Sequence, residues 1–274
     1  MLKSTRVKLG DLSVGFVDSL ADAMRHCAED PQPLLDSYGL DAARLAEPRA
    51  RLSIPRYMRL GHSAIQQCGE PGLGLLMGQT SRLSQLGLAG VTAMQAPTVR
   101  EAARALIRFE PLYASNYRGQ SSLHEDVQGA WLRFYSISPY NAYNRFVVDS
   151  VLAGWLAQLS GLVGVAVQAE RMEIEFCAPA YADRYQALCS SPVQFGATHN
   201  QLRLDRASLA LRNTVMGIGG IGYMFWVSPR LTLMMLLVRR LIKPQKCSDW
   251  AIQVGQNYLF LPNRAHHKLN FHAQ

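Results

Sequence analysis

Around Pro111 the hydrophobic period of this 274-residue chain changes from about 3.6 to 2, and that change limits the fold more than any other feature. Before it, Val14, Val17, Leu20, Met24 and Cys27 recur at spacings of three and four, predicting a helix from an N-cap at Asp11 to about Ala28. Pro31 and Pro33 interrupt the pattern. A short helix over residues 34–38 then stops at Gly39, and Asp41 caps a turn running to Leu45. Ser53, with Pro55 in the first turn, opens a helix through Cys68 that Gly69 ends. Thr98-x-x-Glu101 reads as a capping box, hydroxyl and carboxylate each satisfying a backbone donor ahead of Ala102, Ala105, Leu106 and Phe109.

After Pro111, Ala130, Leu132 and Phe134 alternate with Trp131, Arg133 and Tyr135. Met172, Ile174 and Phe176 alternate in the same way with Arg171, Glu173 and Glu175, as half-buried antiparallel strands do. Val193 with Phe195 and Leu202 with Leu204 add two short strands. Between them Phe146, Val147, Val151, Trp155, Leu156 and Leu159 mark a long helix ending at Gly161. The expected fold is α+β: an N-terminal helical subdomain followed by a small antiparallel sheet backed by a long helix.

Composition divides the chain near Asn213. Residues 1–213 carry 21 Lys+Arg against 19 Asp+Glu, whereas residues 214–274 carry 7 against 1, so most of the net charge of +8 belongs to the tail. Alanine falls from 28 in the body to 3 in the tail, and the body uses 19 Arg but only Lys3 and Lys8. The expected organisation is a folded body over 12–213 and an atypical basic, apolar tail over 214–274. With 49% hydrophobic and 18% charged residues, disorder is excluded. Lys3, Arg6, Lys8, Asp11 and Asp18 leave no signal-peptide run in the first 20 residues, so cytoplasm is the expected compartment. Cys27, Cys68, Cys177, Cys189 and Cys247 are widely spaced, without a C-x-x-C, and read as reduced thiols.

Catalytic signatures are absent: there is no G-x-S-x-G, H-E-x-x-H or phosphate-binding loop, and no cofactor, metal or enzymatic role is expected. Gly72, Gly74 and Gly78 have the wrong spacing for a dinucleotide turn and suit close helix packing instead. His266, His267 and His272 form a loose cluster best read as exposed polar residues; His124 and His199 stand alone. The arginines that follow Gly39 suggest a helix-turn-helix, but an intramolecular helical pack produces the same pattern. In the tail, residues 214–228 and 231–238 are uncharged yet separated by Pro229-Arg230. Each run is shorter than the roughly 20 residues a membrane span needs, so a membrane partner is not expected. Trp131, Arg133, Tyr135, Tyr143 and Arg145, with Tyr140, combine rings and guanidinium groups near the strand–helix junction. Such a set suits a small anionic or planar ligand, although a half-buried sheet face with snorkelling arginines has the same composition.

Five segments in order carry a resemblance. Leu52-Ser-Ile-Pro-Arg-Tyr-Met-Arg-Leu is followed by Gly69-Glu-Pro-Gly-Leu-Gly-Leu-Leu-Met-Gly and by residues 86–102, which open Leu86-Gly-Leu-Ala-Gly-Val-Thr-Ala-Met. Arg171-Met-Glu-Ile-Glu-Phe-Cys-Ala-Pro-Ala with Tyr185, and Pro192-Val-Gln-Phe-Gly-Ala-Thr-His-Asn-Gln-Leu-Arg-Leu, complete the series. Over about residues 12–213 the chain resembles the N-terminal arabinose-binding-type domain of AraC/XylS-type transcriptional regulators. The resemblance implies a domain for effector sensing, dimerisation or both, a small-molecule effector, a homodimer and no catalysis.

Such regulators continue into two helix-turn-helix units that read promoter DNA. Here residues 214–274 hold Gly217 to Gly222, Pro229, Pro244 and Pro262, without a pair of capped amphipathic helices. The expectation is a regulator with a truncated or frameshifted output half. The alternative is a stand-alone sensor, without DNA binding of its own, that heterodimerises with intact regulators.

Overall fold

Three short segments separated by up to about a hundred residues pair into a sheet that periodicity does not reveal. In chain order the computed structural model has β1 (Gly10–Ser13), α1 (Gly15–His26), α2 (Gln32–Ser37), α3 (Ala42–Ala46), β2 (Arg51–Ser53), α4 (Ile54–Cys68), α5 (Leu73–Thr80), a 3-10 turn (Leu83–Leu86) and α6 (Leu88–Met94). There follow α7 (Val99–Arg108), α8 (Glu110–Tyr113), β3 (Ala114–Asn116), β4 (Ser122–Glu125), β5 (Gly129–Phe134) and α9 (Arg145–Val163). The last elements are β6 (Arg171–Ile174), a second 3-10 turn (Ala182–Ala187), β7 (Gln194–Phe195), β8 (Asn200–Asp205) and α10 (Arg206–Ala210). The structure describes residues 9–47 and 49–213, which lie in the first of two units, Met1–Gly219 and Gly220–Gln274. The readings made on the tail, its histidines and Cys247 included, lie outside the described residues.

The small sheet has the order β2-β1-β3, antiparallel throughout. Asp11 therefore lies inside a strand, opposite Ser53 and Ser115, and α1 begins only at Gly15. Its carboxylate is ion-paired with Arg51, whose guanidinium also donates to Leu112 O at 2.9 Å and Ser115 Oγ at 3.2 Å. Gly10 has φ +117°, and a Cβ there would lie 1.7 Å from Ser115 O, so only glycine lets β1 approach β3.

The helix signals are met unevenly. Asp41 caps α3 by accepting the Arg44 N–H at 2.8 Å. Ser53 holds the N-cap position of α4 without a side-chain bond, and Gly69 ends that helix in a left-handed conformation. Only half of the capping box at α7 forms: Thr98 Oγ1 accepts the Glu101 N–H at 3.5 Å, while Glu101 Oε2 is buried without a partner among the described residues.

The larger sheet has the order β4-β5-β8-β6-β7. Its pairings are antiparallel except β6 with β7, which is parallel, Glu173 opposite Gln194. The chain reaches β7 through a connection long enough to reverse direction twice, so strand direction was not readable from the alternation. Ala130, Leu132, Met172, Ile174, Leu202 and Leu204 are buried in the main cluster with Leu152, Leu156 and Leu159 of α9. α9 runs past Gly161 to a left-handed Gly164 because Leu162 and Val163 are still buried in that core. By length and composition it could cross a membrane, but it is apolar all round because the core surrounds it.

A second cluster joins α1, α2, α4 and the start of α9 through Leu20, Met24, Leu35, Tyr57, Leu60 and Phe146. Between the clusters α5 lies flat on α9, as the glycine spacing suggested. A Cβ on Gly74 would lie 2.6 Å from Phe146 O, and one on Gly78 2.5 Å from Ala153 Cβ.

Candidate ligand cavity

The seam between the two clusters is not filled. Phe16 and Ala114 pack against both, and beside them lies an open cavity of about 1030 Å³, solvent space at its mouth included. Its apolar wall comes from β1–α1 (Leu12, Phe16), α4 (Ile54, Tyr57, Met58), α8 (Tyr113), the end of β5 and the chain beyond it (Phe134, Tyr135, Ile137) and α9 (Val147, Val151, Trp155). The rings support one another. Phe16 stands edge-on to Tyr57 at 6.2 Å and tilted to Tyr113 at 6.0 Å, and Phe134 is edge-on to Trp155 at 6.3 Å.

Polar groups enter from the α5 end and from α8. Gln85 Oε1 accepts from Ser19 Oγ and from the Arg82 N–H, both at 2.8 Å. Gln158 Nε2 donates to Ser81 Oγ at 3.3 Å, and Ser81 Oγ donates to Gly78 O at 2.8 Å. Gln85 Nε2 and Gln158 Oε1 are buried without a partner among the described residues. Glu110 accepts from Ser121 N and Oγ at 2.7 Å each; burial raises its carboxyl pKa and the two Ser121 bonds oppose that rise. Burial likewise pushes the Tyr57 and Tyr113 hydroxyls up, so both stay neutral donors, to Met77 Sδ at 3.4 Å and Leu106 O at 2.9 Å. No Arg, Lys or His is among the described residues lining the cavity.

The five residues expected to bind a ligand are not brought together. Tyr135 lines the cavity, just past the end of β5. Trp131 and Arg133 lie on the opposite face of the larger sheet: the Arg171 and Arg203 guanidinium groups each lie over the Trp131 ring, 5.8 and 5.5 Å from its centroid, and Arg133 Nε donates to Gln201 Oε1 at 3.0 Å. Tyr143 packs on the His62 ring at 4.2 Å, and Arg145 sits over Phe176 at 5.9 Å. Tyr140 hydrogen-bonds Glu175 and accepts from Asn200 Nδ2 at 2.6 Å; His124 and His199 bond locally to Ser122 and Thr198.

Outside the cavity, Asp149 of α9 is wholly buried and accepts from Tyr181 Oη at 2.7 Å and from Tyr185. Burial raises its pKa to about 7, against the pull of the two hydroxyls and of Arg145.

Residues 29–213 match the family model described as the arabinose-binding domain of AraC transcription regulator, N-term. The chain belongs to this family. A curated protein, the ornithine utilization regulator of Pseudomonas aeruginosa, is 26% identical to the chain over 182 residues. That alignment covers 66% of this chain and 53% of the relative. Among solved structures, the transcriptional regulator CdpR from Pseudomonas aeruginosa has a TM-score of 0.43 and 16% identity, over 66% of this chain and 55% of that one. The chain thus spans about half the length of the proteins it matches.

Proposed function

We propose that residues 12–213 are the effector-sensing and dimerisation half of an AraC-type transcriptional regulator, and that the cavity between the clusters is its effector site. The observation that carries this reading is the cavity's position: both clusters contribute walls, so a bound molecule favours the arrangement in which they are apposed, and occupancy shifts a population. Packing runs from there toward residue 213. The turn holding Gln85 packs on α6, and just at and beyond its end the carbonyls of Met94 and Ala96 accept from Asn213 Nδ2 at 2.7 and 3.0 Å.

Thermal unfolding of the full chain with a panel of small molecules, arabinose and ornithine included, tests the site. A ligand at a hundred times its Kd adds about 2.7 kcal/mol. The increase should vanish in Val151→Trp, which fills the cavity; equal stabilisation of both proteins would contradict the reading. Pairing of two copies is supported by Leu88, Val91 and Met94 of α6 and Leu112 of the adjoining α8, all exposed.

A second reading, a sensor that acts by pairing with intact regulators, is favoured by the glycines and prolines that interrupt residues 214–274. Salt-titrated promoter binding separates the two. Sequence-specific retention by this chain alone supports a direct regulator; retention only with an intact relative supports the second reading.

A further inference from the structure

Cys27 is the C-cap of α1 and Cys68 the last residue of α4, and these two helix ends bring together thiols that lie far apart in the sequence. A side-chain hydrogen bond joins them. The junction is tied beside the thiols as well: Gln67 Nε2 donates to Glu29 Oε2 at 3.1 Å and to Asp30 O at 3.3 Å, so the residue before Cys68 holds the chain just past Cys27. Both cysteines pack against the same buried cluster, yet both are partly exposed, within reach of a small solute that cannot reach the buried Cys189. Neither lines the cavity.

The charges around the two sulfurs differ. Burial, then Cys27 itself and the carboxylates of Glu29 and Glu70, keep the Cys68 thiol protonated, its pKa pushed up to about 12. The Arg184 guanidinium, ion-paired with Glu70 at 2.6 Å, interacts electrostatically with the Cys27 sulfur. A thiol that attacks disulfides characteristically has a cation beside it and a second thiol poised to resolve the product, and Cys27 has both.

We propose that Cys27 and Cys68 form a thiol–disulfide site whose substrate is a low-molecular-weight disulfide of the glutathione class, with Cys27 attacking and Cys68 resolving. The Cys27 thiolate attacks one sulfur of the reagent; the reagent S–S bond breaks and its first thiol leaves, taking a proton from solvent. Cys68 then gives its proton to solvent, and its sulfur attacks that of Cys27 and expels the second reagent thiol. Two electrons pass from the protein sulfurs to the reagent, and the two protons lost by Cys27 and Cys68 balance the two gained by the released thiols. The first step prepares the second, because a Cys27 already in a mixed disulfide no longer helps to hold the proton on Cys68. The finished bridge fastens the C-terminal ends of α1 and α4, helices that both contribute walls to the cavity.

The experiment is to incubate the reduced full chain with glutathione disulfide at pH 8, quench with acid and a maleimide, and map the digested peptides by mass spectrometry. A peptide linking Cys27 to Cys68 within one molecule should exceed the glutathione adducts of these two residues by at least about tenfold. Cys68→Ser should stop at the Cys27 adduct, and Cys27→Ser should slow modification of Cys68 at least about tenfold, with the circular dichroism spectrum of each matching the parent. Absence of the linked peptide from the parent, its presence only in covalent dimers, or a glutathione adduct that persists on Cys27 of the parent would overturn the site, whatever the variants do. Modification of Cys68 in Cys27→Ser as fast as in the parent would overturn the assigned order of attack.

Discussion

Asp149 and Tyr185 are hydrogen-bonded to each other in the interior, joining α9 to the turn Ala182–Ala187 at a point that water does not reach. The buried carboxyl has its pKa raised from 3.8 to about 7, so between those values the folded protein holds a proton that the unfolded chain has released. Its contribution to stability is complete below about pH 4 and is lost as the pH rises through 7, by at most on the order of 4 kcal/mol. Asp149→Asn has no such proton to lose. The melting-temperature advantage of the parent over the variant should shrink from pH 4.5 to about 7 and level off above that, and a gap that stays constant would show that Asp149 titrates normally.

Two glycines on the α5–α9 pair should respond to alanine with opposite signs. At Gly78 the new methyl meets Ala153 Cβ at 2.5 Å and the backbone of Gly154 and Ser150 at 2.7 Å, so Gly78→Ala should cost about 1–3 kcal/mol in urea unfolding. Gly161 is exposed within α9 with nothing near its Cβ position, and Gly161→Ala should stabilise by about 0.5–1 kcal/mol. Like signs for the two would mean that helix contact does not explain the glycine spacing.

The exposed face of α6 predicts an effect on association. Leu88 is 70% and Val91 50% exposed, one turn apart. Replacing both with Glu should weaken self-association at least about tenfold in sedimentation velocity, roughly 1.4 kcal/mol, with the circular dichroism spectrum unchanged. An unaltered dimer would place the pairing surface elsewhere.

Thiol reactivity should follow exposure and charge. Cys177 is exposed and Cys189 buried; Cys68 is held protonated, its pKa pushed up to about 12 by burial and by the adjacent Cys27. Alkylation at pH 8, followed peptide by peptide, should modify Cys177 before Cys68 and Cys189. Early labelling of Cys68 would contradict its packing against Cys27.

Much of the fold is legible in the sequence because long elements repeat their pattern. The stripe Val17–Leu20–Met24 and the alternation of Ala130, Leu132 and Phe134 both face cores as read. The three-stranded sheet is not legible: strands of three or four residues show no period, and the pairing of Asp11 with Arg51 depends on segments brought together from afar. The cavity is harder still. Val147 and Trp155 read as part of an ordinary core helix, and only their assembly with Leu12 and Tyr57 leaves a space. Trp131 and Arg133 drew notice for their chemistry, yet the pleat turns them to the outer face. One usable signal was present, since Gln158 stands alone between Trp155 and Leu159 on an apolar helix, where a polar side chain needs a partner.

The three-stranded sheet that Arg51 ties together also bears on how the chain is made. β1 lies between β2 and β3, and β3 ends about a hundred residues downstream of it. At roughly 5–20 residues per second, one edge of β1 waits about 5–20 s on the ribosome before its second neighbour emerges. An early segment with that delay is an opening for a holding chaperone, and slower decoding between codons 50 and 116 would prolong it.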